Sequence, residues 1–224
     1  MQDVRIKEFE SDEAYRASQT TSSIDTRLWP VYQDRCRSDV EKFMPWWPRE
    51  CKVLDAGCGD GYTMDIIRSV RPPFWIYGID MTPAKVEEAR IHGHDVYIND
   101  LSEIKFKNQI FDVVYCRHVF EHVIKPKRVM MEFYRVLADW GRLCLIVPLV
   151  AAKDVRGKHP QEIPNLQYVK DLVEGAGFYV NRASLEKPKY GDEVWIWATK
   201  RGEERSAGER WTVSEEDHLP ALNG

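Results

Sequence analysis

Val53-Leu54-Asp55-Ala56-Gly57-Cys58-Gly59-Asp60-Gly61-Tyr62 is the stretch on which the reading of the fold turns. An apolar run too short for a helix ends in an acid and enters three glycines at alternate positions, after which a helical pattern begins. This predicts a buried strand, a tight turn and a helix N-terminus, the point in an α/β sheet where ligands are held. Glycine permits positive φ there and lets a ligand approach the backbone with no Cβ in the way. The helix N-terminus adds free N–H groups and a partial positive charge.

Strands and helices alternate outward from this turn. Strand one is Lys52–Asp55, and Thr63, Ile66, Ile67 and Val70 repeat at helical spacing until Pro72-Pro73. Strand two runs from Phe74 to Ile79 and ends on Asp80; Pro83 opens a short helix over Ala84–Arg90 in the position that suits proline. Val96–Ile98 and Phe111–Cys116 read as strands three and four, the latter carrying Asp112 in a structural role. A helix follows with Val129, Phe133, Val136 and Leu137 on one face, then strand five over Arg142–Val147. The loop from Pro148 to Pro164 is long for a compact domain, as binding loops are. Another helical stripe (Leu166, Val169, Leu172, Val173, Ala176) precedes strands Phe178–Leu185 and Glu193–Thr199. Their connection is too short for a crossover, so these two strands form an antiparallel hairpin. Trp195 and Trp197 lie on a strand apolar on both faces and are read as sheet core.

Alternation of this kind implies a parallel sheet covered on both faces. The expected fold is α/β: a Rossmann-like three-layer sandwich with a seven-stranded, mostly parallel sheet and an antiparallel last strand. One domain is expected over residues 1–200, with an N-terminal arm or helical lid at 1–48 and the core at 49–200. Tyr32, Val40 and Phe43 fit a helix closed off by Pro45 and Pro48. Residues 1–27 are polar and read as a disordered arm or as a lid that orders over a site; 201–224 read as a polar, disordered tail.

The totals narrow the function. The 32 basic and 36 acidic residues give a net charge of −4 without a Lys/Arg block, so no nucleic-acid partner is expected. No apolar run reaches the roughly 20 residues of a membrane span and the start lacks a basic-then-apolar signal. The five cysteines are odd in number and form no C-x-x-C pair, consistent with free thiols in a reducing compartment, the cytoplasm.

Three ligands compete for the glycine turn. The G-x-G-x-G spacing does not match the G-x-G-x-x-G of dinucleotide folds, and no lysine follows as a Walker A loop requires. A nucleoside with a small zwitterionic tail fits better. Asp55 would repel phosphate but suits an ammonium group, and Asp80 can accept from both ribose hydroxyls. An acid there serves NAD equally well, so Asp80 alone does not discriminate.

These residues resemble the class I S-adenosylmethionine-dependent methyltransferases. The likeness begins with Val53–Gly61 and continues through Tyr77-Gly78-Ile79-Asp80-Met81, Asp100-Leu101 and Phe111-Asp112-Val113-Val114. It extends to Val119-Phe120-Glu121-His122-Val123 and Glu132-Phe133-Tyr134-Arg135-Val136-Leu137, covering residues 50–148 closely. The resemblance implies that Asp55, Ala56, Gly57, Cys58 and Gly59 lie against S-adenosylmethionine. It puts Asp80 on the ribose, Met81 on the adenine face, Asp100 on the adenine amino group and the Leu101 backbone at the ring edge. Arg117 and His118 would lie beside the methionine part. One departure is Asp139-Trp140-Gly141, where the family usually has a Pro-Gly-Gly-type turn.

Methyl transfer from a sulfonium needs alignment and a route for the acceptor's proton. His118, Glu121 and His122 stand at i, i+3 and i+4 beyond strand four, which predicts one shared side of a helical turn. The string resembles the E-x-x-E-H of ubiquinone-type O-methyltransferases, whose side chains can bind a divalent cation; His118 replaces the first Glu, leaving the metal undetermined. Bracing of the following helix is the alternative role. His159 in the long loop is a further candidate for the acceptor pocket, and Arg27 and Arg35 are candidates for the cofactor carboxylate. The expected activity is methyl transfer to the oxygen or nitrogen of a small molecule. The alternatives are a macromolecular acceptor presented by a partner, a catalytically silent cofactor-binding subunit and, more distantly, an NAD-dependent oxidoreductase. Neither the acceptor nor the oligomeric state can be read from the sequence.

Overall fold

The computed structural model describes residues 30–70, 74–151, 160–188 and 191–202. The arm at 1–27, Arg27, His159 and nearly all of the tail lie outside the described residues.

In chain order the elements are α1 (Pro30–Phe43), β1 (Cys51–Ala56), α2 (Tyr62–Val70), β2 (Phe74–Asp80), α3 (Pro83–Ile91), β3 (Asp95–Ile98) and β4 (Phe111–Arg117). They continue with α4 (Pro126–Val136), β5 (Leu137–Pro148), α5 (Leu166–Gly175), β6 (Phe178–Glu186) and β7 (Glu193–Lys200). Short 3-10 turns occupy Met44–Trp46 and Phe120–His122. The strands form one seven-stranded sheet in the order β3-β2-β1-β4-β5-β7-β6. Its first five strands are parallel, and β7 runs antiparallel to both β5 and β6. The expected Rossmann-like α/β sandwich is therefore the observed fold.

Side-chain alternation along each strand divides the interior into two cores. Leu54, Val114, Leu145 and Ile196 face one way, against Val129 and Phe133 of α4 and Val169 and Val173 of α5. Val53, Tyr115, Ile146, Trp195 and Trp197 face the other way, against α1, α2 and α3. Central strands buried on both faces must be apolar throughout, which is why they read as continuous hydrophobic runs. Phe43 of α1 stacks on Trp195 at 5.4 Å and lies 4.5 Å from Trp197 and 5.9 Å from Tyr115. α1 is thereby fixed over the carboxyl-terminal half of the sheet, with Val40 and Cys36 fully covered beside it. Both tryptophans serve as core, as their pattern indicates.

Two local differences from the sequence reading have physical causes. β5 starts at Leu137, five residues before the expected Arg142, and a register irregularity against β4 absorbs the departure at Asp139-Trp140-Gly141. Trp140 takes φ 64, the conformation that glycine would supply, while a Cβ on Gly141 would stand 2.7 Å from the Ala138 carbonyl oxygen. In α2, Val70 closes the helix and is exposed, and Met64 is buried with Ile66 and Ile67 instead. Asp112 accepts from the Lys52 backbone N–H at 2.8 Å, a structural use as expected. All five cysteines are free and buried. Among the described residues no helix is long and apolar enough to cross a membrane.

Candidate functional site

The turn after β1 is built onto the end of β2. The Ile79 carbonyl accepts from the N–H groups of Gly57 at 2.7 Å and Cys58 at 3.0 Å, and Asp80 Oδ2 accepts from Gly59 N–H at 3.1 Å. Asp60 Oδ1 takes the Tyr62 N–H at 3.1 Å and so caps the first turn of α2. Gly57 and Gly59 both have positive φ, but for different ends. A Cβ on Gly57 would meet Val119 Cγ2 at 2.2 Å, so that glycine admits a side chain of the protein itself. A Cβ on Gly59 would meet nothing within 4 Å, so that glycine leaves open space.

Asp80, Met81, Asp100 and Leu101, all marked by the sequence, line one cleft with Gly57, and its empty volume is about 640 Å³ including the part open to solvent. Val119, His122 and Lys125 line it as well. Each acid is held by its own loop: Asp80 Oδ1 accepts from Thr82 N–H at 2.8 Å, and Asp100 Oδ1 from the Ser102 N–H and hydroxyl at 2.8 Å each. The loop after β3 is braced by residues whose part is not evident in the sequence. Asn99 bonds Asp100 O, Glu103 O and Lys105 N–H, and Glu132 Oε2 accepts from Ile104 N–H at 2.8 Å. Burial alone would raise the Glu132 carboxyl, but Arg135, 2.7 Å away, overrides it and holds it low. Arg135 also donates to Ile104 O and Phe106 O. Ala56 is fully buried with its side chain in the α4/α5 core, so only its backbone can meet a ligand.

At the other end of the turn lies a buried polar cluster under α1. Asp55 of β1 pairs in register with Tyr115 of β4, and both are covered. Asp55 Oδ2 and the Tyr115 hydroxyl have no hydrogen-bond partner among the described residues. Burial, with Asp80 nearby, raises the Asp55 carboxyl to about 7, and burial raises the Tyr115 hydroxyl well above its usual range. Arg117 Nε donates to Asp39 Oδ2 at 2.8 Å, and Arg35 Nε lies 4.0 Å from the same oxygen. Arg35 also bonds Glu193 Oε1 across the domain, and His118 Nε2 stands 2.6 Å from that oxygen. Burial would raise the Glu193 carboxyl, but His118 and Arg35 override it and hold it at about 2. Burial lowers the His118 pKa, with Arg117 and Arg35 adding and Glu193 opposing.

The helical grouping of His118, Glu121 and His122 does not form. His118 has φ 54, which reverses the chain before the 3-10 turn begins at Phe120. The His118 side chain therefore parts from the other two. His118 goes to Glu193, while Glu121 turns inward, 2% exposed, its carboxyl raised to about 8 by burial. His122 faces the cleft with Nε2 3.6 Å from Glu121 Oε1. The divalent-cation set does not fit this arrangement, and among the described residues no three His, Cys, Asp or Glu side chains are grouped to hold a metal. Arg35, a candidate for the cofactor carboxylate, is instead engaged with Glu193 and Asp39. The described end of the long loop packs on the turn: Gln161, fully buried, donates to Phe120 O at 2.8 Å and Val123 O at 3.1 Å.

Sequence reasoning missed Asp39, Tyr115, Val119 and Glu193. Two signals were present, an acid four residues after Arg35 on a helix and an acid opening an otherwise apolar strand.

Comparison with known proteins adds the following. A methyltransferase-domain family matches residues 29–187. The chain is 29% identical over 156 residues to a malonyl-[acyl-carrier protein] O-methyltransferase of Herminiimonas arsenicoxydans, covering 66% of this chain and 59% of that protein. It is 31% identical over 99 residues to a ubiquinone biosynthesis O-methyltransferase of Pseudomonas entomophila, covering 41% and 42% respectively. The chain spans about half the length of the curated relatives it matches. Among solved structures, a Haloferax volcanii methyltransferase in complex with the Trm112 methyltransferase activator superposes with a TM-score of 0.66 at 15% identity. That alignment covers 81% of this chain and 98% of the other and shows a shared fold.

Proposed function

The chain belongs to the methyltransferase-domain family, and from that premise we propose that it transfers a methyl group from S-adenosylmethionine to an oxygen or nitrogen of a small molecule. The observation that carries this reading is Asp55 Oδ2, a buried carboxylate oxygen without a partner beside a glycine turn. A phosphate would be repelled there; an ammonium group would relieve the cost of burying the acid. Open space at Gly59 fits a ligand tail, and Asp80 keeps lone pairs for a ribose diol after accepting Gly59 and Thr82 N–H. These residues fit S-adenosylmethionine. In this reading Asp55 holds the ammonium, Asp80 the ribose, Asp100 and the Leu101 backbone the adenine edge, and Met81 the ring face.

When bound, the cofactor supplies an electrophilic methyl carbon, so the protein's share is alignment and proton removal. His118, in the buried cluster and one residue before the cleft-lining Val119, is the proposed base, because burial and two guanidinium neighbours favour its neutral form. Glu121 is assigned a bracing role, since its carboxyl is buried away from solvent. The named likeness to an enzyme of acyl-carrier-protein substrates favours a second reading, a small acceptor carried on a protein.

Calorimetric titration with S-adenosylmethionine tests the first step. Asp80→Ala should weaken binding by about 1–3 kcal/mol, the cost of unpaired polar groups; unchanged affinity would sink the ribose assignment. Incubation of a cell extract with isotopically labelled cofactor, followed by mass spectrometry of the metabolite and protein fractions, separates free from carried acceptors.

A further inference from the structure

The third glycine of the turn makes room for a residue that no step of the reaction uses. A Cβ on Gly61 would stand 2.4 Å from Cδ2 and 2.9 Å from Nε2 of His94, so the imidazole fills the space that a side chain at 61 would need. His94 comes from the link between α3 and β3, and its side chain is entirely covered. Two contacts tie this link to α2: His94 Nε2 lies 3.1 Å from Asp65 Oδ1, and Arg68 donates to Gly93 O at 3.2 Å. The Asp65 N–H in turn donates to Gly61 O at 3.1 Å. The glycine, the first turn of α2 and the imidazole thus form one packed unit.

A second contact interlocks in the reverse sense. A Cβ on Gly78 of β2 would stand 2.7 Å from Cys58 Sγ and 2.7 Å from Val96 Cγ1 of β3. The thiol of the turn enters the sheet at β2, while the imidazole preceding β3 enters the turn. Cys58 is therefore buried with its side chain against the sheet, and its backbone is what remains to meet a ligand.

The place of β3 in the sheet makes this interlock matter for the site. β3 has four residues and is an edge strand, bonded to β2 alone. Asp100 follows it and lines the cleft with Gly57 and Asp80. The glycine turn and Asp100 are thus joined through β2 along the sheet and through His94 beneath the turn.

We propose that His94 is a positioning residue of the cofactor site: seated in the Gly61 notch, it holds β3, and with it Asp100, at a set distance from the glycine turn. The inference rests on the methyl-transfer reading, in which the tail of S-adenosylmethionine lies on the turn and its adenine on Asp100 and Leu101. A ligand joined across both places gains from the second contact only as far as the protein holds the two at the ligand's own span. Adenosine has no tail to lay on the turn, so its binding is insensitive to that distance.

Calorimetry of the full chain with S-adenosylmethionine and with adenosine tests this. The ratio of the two affinities reads the distance, because a smaller folded fraction weakens both ligands alike. In His94→Ala the ratio should fall about tenfold, and in Gly61→Ala by a similar factor because the methyl group expels the imidazole. His94→Gln refills the notch with a polar chain of similar reach and should keep the ratio within about twofold of native. Gly61→Ala and His94→Ala combined should lose less than the product of the two single losses, since the methyl group enters the space the ring has left. A native ratio in both single variants, losses that multiply in full, or a loss in His94→Gln as large as in His94→Ala would each overturn the proposal. Denaturant unfolding of the same chains supplies the cycle independently of any ligand, and additive stability losses there would overturn the interlock. Failure of the unmutated chain to bind S-adenosylmethionine would instead overturn the methyl-transfer reading, with the coupling of Gly61 to His94 then decided by unfolding alone.

Discussion

The two ends of the site are built on opposite principles. At the cleft end the acids Asp80 and Asp100 are satisfied by backbone N–H groups of their own loops, within two residues in the cases of Thr82 and Ser102. Under α1, Asp55 and Tyr115 are buried with polar atoms left unpartnered among the described residues, and ion pairs there join residues 35, 39, 117, 118 and 193. A satisfied acid is a rigid receptor for a neutral nucleoside. An unsatisfied buried acid is a liability until a cation arrives. In the proposed reading, adenosine recognition is then preformed, whereas the polar tail and the reacting centre depend on how α1 is seated.

The largest effect should come from removing that seat. Phe43→Ala deletes the ring between Trp195, Trp197 and Tyr115, and loss of a buried phenylalanine costs about 3–5 kcal/mol. Denaturant unfolding should register this loss. In the fraction that stays folded, adenosine alone should bind as before, while the added affinity of the full cofactor falls. Equal loss for both ligands would mean that the two ends are not separable.

The same contrast explains what could be read before any coordinates. The glycine turn and the acids at the ends of β2 and β3 are legible because their chemistry is local: strand, turn and acceptor follow one another in the chain. Glu193 and Asp39 are not, because 75 residues separate His118 from Glu193 and only the placement of β7 beside β5 brings them together. The helical grouping of His118, Glu121 and His122 failed for a related reason. Spacing of i, i+3 and i+4 puts side chains on one face only when all the intervening residues are helical, and φ 54 at His118 breaks that condition.

The two glycines offer a smaller and sharper test. Gly57→Ala drives a methyl group into Val119 at a positive φ, and should cost about 1–3 kcal/mol of stability through overpacking. Gly59→Ala has room for its methyl, so the loss of stability should be about 1 kcal/mol, from backbone strain alone. Cofactor affinity should follow the opposite order, with Gly59→Ala the weaker binder by calorimetry because its methyl occupies space kept for the tail. Full-strength binding by Gly59→Ala would move the tail away from this turn.

The smallest effect is a pH dependence confined to the α1 end. Asp55 titrates at about 7, above the 3.8 expected of it in an unfolded chain, so the ligand-free fold binds its proton more tightly than the unfolded state does. Its contribution to stability is therefore best at low pH and declines as pH rises from about 4 to 7, where both states become ionised. An ammonium group beside Asp55 reverses that penalty by favouring the carboxylate, and its binding must then expel the proton. S-adenosylmethionine affinity should accordingly rise by up to about tenfold per pH unit between about pH 5.5 and 7, with proton release visible as buffer-dependent heat. Adenosine lacks the tail and should show no such slope, and Asp55→Asn should flatten the slope for the full cofactor. A cofactor affinity that is level across this range would remove the ammonium from Asp55, and with it the main reason to choose this ligand over a neutral nucleoside.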